Sequence, residues 1–371
     1  MILDSLNHVY KNARILITGH SGFGGIWLCN WLSILGADIL GYSDDLISER
    51  NPFTHEYLKR AIKEVKGDVR DRERMRQAFL GFQPTMVFHL AAQAIVITSY
   101  QKPEETFLTN VNGTLNLLDT IRETKSARVL IAVTTDKVYK DQGNKMYAEN
   151  DLLGGNDPYS ASKAMCELAI EAYRNSWFKK ANSIYTKEVS SARAGNWIGG
   201  GDFSKYRLIP DIVRSLMNNE PVALRNPSFV RPWQYILDSL FGFLILGAKM
   251  LSDDKRYSGA WNFGSSEYSS VTCANIVKKA LAIWQSNDAQ VLGTKSNYKE
   301  TEYLGISSRK AKELLNWSPL YSIDETLEHT INWYKEYRTR KSFSAQFDMS
   351  DIYEVQIRKF MDELKIRNDL L

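Results

Sequence analysis

The sequence predicts an α/β protein of the Rossmann type, a doubly wound parallel sheet with helices on both faces and a smaller C-terminal lobe. Three observations carry this. Near-continuous apolar runs alternate with stretches of helical spacing through the first half of the chain. A glycine turn, Gly19-x-x-Gly22-x-x-Gly25, stands between the first run and the first helical stretch. After about Arg193 the rhythm breaks into short elements punctuated by Pro210, Pro221, Pro227 and Pro232.

Taken in order, strands are expected at residues 14–18, 37–42, 85–90 and 127–133, where β-branched and apolar residues run almost unbroken. Trp27-Leu28, Trp31-Leu32 and Leu35 mark the first helix by their spacing. Residues 183–191 and Ala260-Trp261-Asn262-Phe263 are expected to return to the main sheet, so the lobe grows from insertions after the later strands. The division is 1–193, mainly dinucleotide-binding; 194–345, mainly the substrate-binding lobe; and 346–371, a terminal helix whose amphipathic part, Asp348 to Lys365, reads as packing.

The composition narrows the function. At 371 residues and 44% hydrophobic, the chain can bury a large core, which excludes a disordered or fibrous protein. Basic and acidic residues balance to +4 without basic blocks, so no nucleic-acid partner is expected. Cys29, Cys166 and Cys273 are odd in number and far apart, which argues for a reducing compartment, and no histidine lies at ligand spacing from them, so no metal is expected. Asp4 stands where a signal peptide carries positive charge, and the longest apolar run, Leu240 to Ala248, is too short to cross a bilayer. A cytoplasmic protein with no membrane partner is expected.

The glycine turn brings backbone N–H groups and a helix N-terminus to a pyrophosphate, with Gly19, Gly22, Phe23 and Gly25 at the contact. A plain strand-to-helix turn is the alternative. The second strand ends in Tyr42-Ser43-Asp44-Asp45, with no basic residue before Arg50. A carboxylate there, Asp45 or its neighbour, bonds ribose hydroxyls and repels a 2′-phosphate, which favours NAD over NADP; a solvated loop is the alternative. Asp68, with Val69 beside it, is placed to meet the adenine, or else to cap a helix.

Tyr159 and Lys163 are four apart and share a helix face. The ammonium lowers the tyrosine's pKa and holds the nicotinamide ribose, and the phenolate takes a hydroxyl proton as hydride leaves. Thr135, Asp136 and Lys137 end the strand at 127–133, at the sheet edge where ligands of open α/β folds lie. Simple oxidation needs no such acid and base. Dehydration through a transient ketone does: Thr135 bonds the oxygen at the oxidised carbon, Asp136 protonates a leaving hydroxyl, and Lys137 removes the acidified neighbouring proton. A structural Asp–Lys ion pair is the alternative.

These residues resemble the extended short-chain dehydrogenase/reductase family, and within it the CDP-glucose 4,6-dehydratases. The likeness runs through His89-Leu90-Ala91-Ala92-Gln93, Asn110-Val111-Asn112-Gly113-Thr114, Asp157-Pro158-Tyr159-Ser160-x-Ser162-Lys163, Arg193 to Asp202, Arg207 to Asp211, Arg225-Asn226-Pro227 and Arg231-Pro232-Trp233-Gln234. The resemblance implies NAD-dependent conversion of a nucleotide-activated hexose to its 4-keto-6-deoxy form. It adds Ala91 and Ala92 to the cofactor site and assigns Gln93, Asn196, Arg207, Arg225 and Arg231 to the sugar nucleotide. It also implies a homodimer or homotetramer paired through helices within 103–124 and 159–174.

The chain departs from the pattern at several positions. Gly24 replaces a lysine, Ile26 a serine, Ala94 a proline, Ile97 an arginine and Ser307 an aspartate. The changes at Ile97 and Ser307 bear on the sugar or the nucleotide rather than on the dehydration. A nucleotide-sugar epimerase or reductase would use Tyr159 and Lys163 but not the acid–base pair, and a non-catalytic dinucleotide binder would need none of the four.

Overall fold

The computed structural model describes residues 2–50, 58, 61–178, 187–252, 255–265, 271–286, 290–294, 298, 300–344 and 347–369. Its centre is a seven-stranded sheet: β1 (Arg14–Thr18), β2 (Asp38–Ser43), β3 (Ile62–Lys66), β4 (Met86–His89), β5 (Val129–Val133), β6 (Glu188–Ala194) and β7 (Gly259–Phe263). The spatial order is β7-β6-β5-β4-β1-β2-β3, every pair parallel. β6 and β7 rejoin the main sheet; the stretch 183–186 of the expected sixth strand lies outside the described residues.

The strands are apolar throughout because both faces are covered. Ile15 and Ile17 point into one core while Leu16 points into the other, and β5 divides likewise, Val129, Ile131 and Val133 against Leu130 and Ala132. One face packs the helices Phe23–Ile34 and Ile236–Leu251; the other packs Arg72–Phe82, Gly113–Glu123 and Pro158–Tyr173. The apolar run Leu240 to Ala248 is buried in this first core. Among the described residues no helix is long and apolar enough to cross a membrane.

The terminal helix Ser350–Asp369 buries Tyr353, Ile357, Phe360 and Leu364, a spacing that keeps one stripe on one side. That stripe meets Trp27 and Trp31 edge-on, with Tyr353 4.5 Å from Trp27 and Phe360 5.6 Å from Trp31. The helix thus seals the outer side of the helix that follows the glycine turn. The lobe contains the helices Leu208–Asn218, Cys273–Trp284, Arg309–Leu315 and Ile323–Phe343 and three two-stranded pairs, 196–198 with 233–235, 222–225 with 291–294, and 230–231 with 271–272. Its residues and those of the sheet share one core.

Candidate active site

The strand order reverses between β1 and β4, and a crevice opens at their carboxyl ends. Gly19 sits there at φ +73°, and a Cβ on it would lie 2.6 Å from the amide nitrogen of Ala91. A Cβ on Gly25 would lie 2.2 Å from the Gly19 carbonyl oxygen. Both positions therefore require glycine. Gly22 begins the helix Phe23–Ile34 without a side-chain cap, which leaves the first amides of that helix open to an anion. The residues present thus fit a dinucleotide pyrophosphate.

Around this turn, buried His89 bonds Thr18 at 2.7 Å and Thr114 at 3.2 Å, tying β1 and β4 to the helix Gly113–Glu123. Burial, helped by the field of Lys163, pushes its pKa down to about 3, so the imidazole is neutral and structural. At the end of β2, Asp44 accepts from the amide of Asp45 at 3.1 Å. Lys66 on the adjacent β3 feels both aspartates, although its ammonium is held by Glu49 at 2.8 Å. Asp68 is not a helix cap; Asp71 caps Arg72–Phe82 instead. The Asp68 carboxylate is gripped by Arg70 through Nε at 2.9 Å, which holds it below the usual carboxylate range. Val69 is buried against Gly113.

Asp157 caps the helix Pro158–Tyr173, accepting from the Ser160 amide at 2.9 Å, and Pro158 fills the first helical position. One turn in, Tyr159 and Lys163 reach the crevice, both buried. Burial drives the Tyr159 phenol up to about 12, and the hydrogen-bonding hydroxyl of Thr135 together with the charge of Arg207 works in the other direction. The Lys163 ammonium donates to the Val133 carbonyl at 3.0 Å, and burial lowers its pKa.

At the end of β5, Thr135 begins a single 3₁₀ turn, Asp136–Val138, and its hydroxyl donates to Asp136 Oδ1 at 2.9 Å. Asp136 is only 2% exposed, and its Oδ2 has no hydrogen-bond partner among the described residues. Burial raises its pKa, more than Lys137, the Thr135 hydroxyl and Arg231 lower it. Lys137 also faces a carboxylate of the lobe: its Nζ lies 3.9 Å from Glu300 Oε2.

A cavity of about 260 Å³ brings the two halves together. Thr135, Asp136, Lys137, Tyr159, Lys163 and Ala92 face it from the sheet side; Asn196, Arg207, Arg225, Arg231 and Glu300 face it from the lobe. Arg207 is oriented by Asp202 at 3.1 Å, Arg225 donates to the Tyr206 carbonyl at 3.1 Å, and Arg231 meets Glu300 at 3.4 Å while lying over the Phe229 ring. Gln93 is not brought to the wall: its amide bonds the Ile95 backbone and Thr106, and so shapes the loop after β4.

Several site residues escaped sequence reasoning. Asn110 holds the loop after β4 to the Tyr–Lys helix, accepting from the Gln93 amide at 2.8 Å and donating to Ser162 at 2.8 Å. Its place in Asn110-Val111-Asn112-Gly113-Thr114 was the available signal. Glu300 lies in a lobe segment whose charge pattern, Lys299 to Glu302, gives no cue. Glu167 binds Thr134, Ser191 and Arg193 beneath the catalytic turn.

Of the departures, Gly24 has a clear partner: a Cβ there would meet the Trp197 ring at 2.4 Å. Trp197 fills the space, donates to Ser239 at 2.9 Å and lines the cavity. Ala94 and Ile97 also line it, whereas Ser307 is engaged through its backbone with Tyr147 at 2.8 Å.

The model of the family described as GDP-mannose 4,6 dehydratase matches residues 16–330. A CDP-glucose 4,6-dehydratase of Salmonella typhimurium is 38% identical over 88% of this chain and 91% of its own length. A probable dTDP-glucose 4,6-dehydratase of Sinorhizobium fredii is 26% identical over 87% of this chain and 93% of its length. Among solved structures, the epimerase Mth375 of Methanothermobacter thermautotrophicus superposes with a TM-score of 0.77 at 26% identity, covering 92% of this chain and 98% of its own. DesIV, a dTDP-glucose 4,6-dehydratase of Streptomyces venezuelae solved with NAD and TYD, gives 0.76 at 22% identity, covering 88% and 98%, a likeness of fold. The matched family model spans most of the chain, so the protein is a member of the GDP-mannose 4,6-dehydratase family within the extended short-chain dehydrogenase/reductases.

Proposed function

We propose that the protein catalyses NAD-dependent dehydration of a nucleotide-activated hexose, CDP-D-glucose foremost, to its 4-keto-6-deoxy form. The observation that carries this reading is Asp136, a buried carboxyl with one open oxygen, in the same cavity as the Tyr159–Lys163 pair. An epimerase or a reductase has no use for such an acid. The choice of CDP-glucose rests on the Salmonella relative.

NAD, when bound, would supply the hydride acceptor for C4 and the hydride donor for C6. Gly19, Gly22, Phe23 and Gly25 bind its pyrophosphate, Asp45 and Asp68 with Val69 its adenosine, and Ala91 and Ala92 form the opposite wall. Tyr159 removes the O4 proton, with Thr135 bonded to that oxygen. Lys163 fixes the ribose and the strand end through Val133. The ketone acidifies C5–H, Lys137 takes that proton, and Asp136, whose protonated form burial favours, gives its own to the leaving O6. Lys137 then returns a proton to C5.

Arg207, Arg225 and Arg231 hold the diphosphate and the base, and Asn196 the sugar. Gln93 acts by shaping the loop beside them. A homodimer or homotetramer is in keeping with the exposed Met165 and Leu168 on the helix Pro158–Tyr173. Three buried free cysteines suit a cytoplasmic setting.

Thermal-shift screening against CDP-, dTDP-, GDP- and UDP-glucose, followed by product analysis, tests the reading. CDP-glucose should raise the melting point most and yield a 4-keto-6-deoxy sugar. A larger shift with another nucleotide overturns the assignment of the base, and absence of the keto sugar with all four overturns the reaction.

A further inference from the structure

Behind Asp136 and Lys137 lies a second cavity of about 20 Å³, which shares those two residues and Glu300 with the main one. A cavity takes a water when it offers on the order of 10–15 Å³ and two to four polar partners. Its wall carries the polar side chains of Asp141, Asn156, Asp157, Ser160 and Thr301, four of them also paired within the wall: Ser160 donates to Asp157 at 2.5 Å and Thr301 to Asp141 at 3.4 Å. Asp136, whose Oδ2 is unpartnered, lines both spaces.

The reaction makes two demands at this point, given the dehydration reading on which this inference rests. The hydroxyl leaving C6 takes the Asp136 proton and becomes water while the sugar fills the main cavity, so that water needs another place. Each turnover also leaves Tyr159 with the O4 proton and Asp136 without its own, so the carboxylate must regain one. Lys137 only borrows a proton, taking it from C5 and giving one back. We propose that the second cavity is the solvent port of the reaction: it receives the eliminated water, lets bulk water pass a proton to Asp136 to balance the O4 proton that Tyr159 releases to solvent, and exchanges the Lys137 protons with bulk water during turnover.

The test is deuterium incorporation from D₂O during conversion of CDP-glucose, read by mass spectrometry and NMR at C5 of the product. Wild-type enzyme should give complete deuteration, because Lys137 exchanges before it returns a proton. Thr301→Leu and Leu304→Phe fill the port at residues that do not line the main cavity. In these variants roughly a third of the product should keep the substrate's hydrogen at C5, since the captured proton is one of three on the ammonium. Turnover should fall together with that retention. Thermal unfolding checks each variant, and if one fails to fold the other carries the test. Complete deuteration in a folded, filled variant overturns the proposal, and so does one-third retention in the wild type. If the wild type forms no keto sugar, it is the dehydration reading that fails.

Discussion

Replacing Glu167 with glutamine should cost about 3 kcal/mol of stability and more than tenfold in kcat. Glu167 lies one turn after Lys163, and its oxygens accept from Thr134 at 2.5 Å, Ser191 at 2.6 Å and Arg193 Nη2 at 2.8 Å. The Glu167 and Arg193 side chains are 3% and 4% exposed. Burial raises the carboxyl's pKa, yet Arg193 and three hydrogen bonds overcome that and hold it below the usual range. The amide keeps the volume but leaves a buried guanidinium with only neutral acceptors, the Tyr139 hydroxyl and the Glu149 carbonyl. Breaking one side of a buried pair costs about 3–5 kcal/mol, and those remaining acceptors place this case at the lower end. Because Thr134 directly precedes Thr135, Asp136 and Lys137, the loosened strand end should also slow catalysis. Urea unfolding at pH 7.5 measures the first effect and initial rates the second. Removing both charges, as in E167Q/R193M, should restore about 2 kcal/mol relative to additivity. A loss below 1 kcal/mol in E167Q, or strict additivity in the double variant, would refute the reasoning.

Other predictions follow from single sites. Asp238 is buried, and desolvation pushes its pKa from 3.8 up to about 7. Between about pH 4 and 7 the unfolded chain is ionised there while the folded one keeps its proton, so the group's stabilisation is full at low pH and is lost as pH rises, by about 1.4 kcal/mol per unit. Asp238→Asn should therefore gain about 2–3 kcal/mol on the wild type between pH 5 and 7; a pH-independent difference in denaturant unfolding contradicts this. Gly24→Ala should cost about 1–3 kcal/mol by overpacking against Trp197, and Trp197→Val should cost less in that variant than in the wild type, where it only removes packing. An equal cost of Trp197→Val in the two backgrounds would sink that pairing. Tyr159→Phe should abolish transient cofactor reduction in a single turnover while the cofactor stays bound; a normal absorbance transient excludes Tyr159 as the oxidising base.

The sheet was legible because its signals are local. Ile15, Leu16 and Ile17 must each be apolar when both faces are covered, and Gly19 and Gly25 must be glycine wherever the backbone turns that tightly. Thr135, Asp136, Lys137, Tyr159 and Lys163 were legible for the same reason: their strand-end and helix spacings are short. What escaped depends on contacts across the fold. Glu300 meets Lys137 from 163 positions away, and nothing around it marks it as facing a lysine. Gln93 has a side chain suited to a substrate, but a neighbouring carbonyl and Thr106 claim its amide first. Lys66 lies within the field of the Asp44–Asp45 corner because β3 lies beside β2, a pairing that closeness along the chain does not reveal. Gly24 read as a missing lysine, and only packing gives it a reason, the ring of Trp197.

The most direct test uses CDP-glucose carrying deuterium at C4. If oxidation at C4 and reduction at C6 occur on one enzyme-bound cofactor, the product is a 4-keto-6-deoxy sugar with that deuterium in its methyl group. Deuterium returned to C4 of an epimerised sugar, or a keto sugar whose methyl group carries none of the label, contradicts the account.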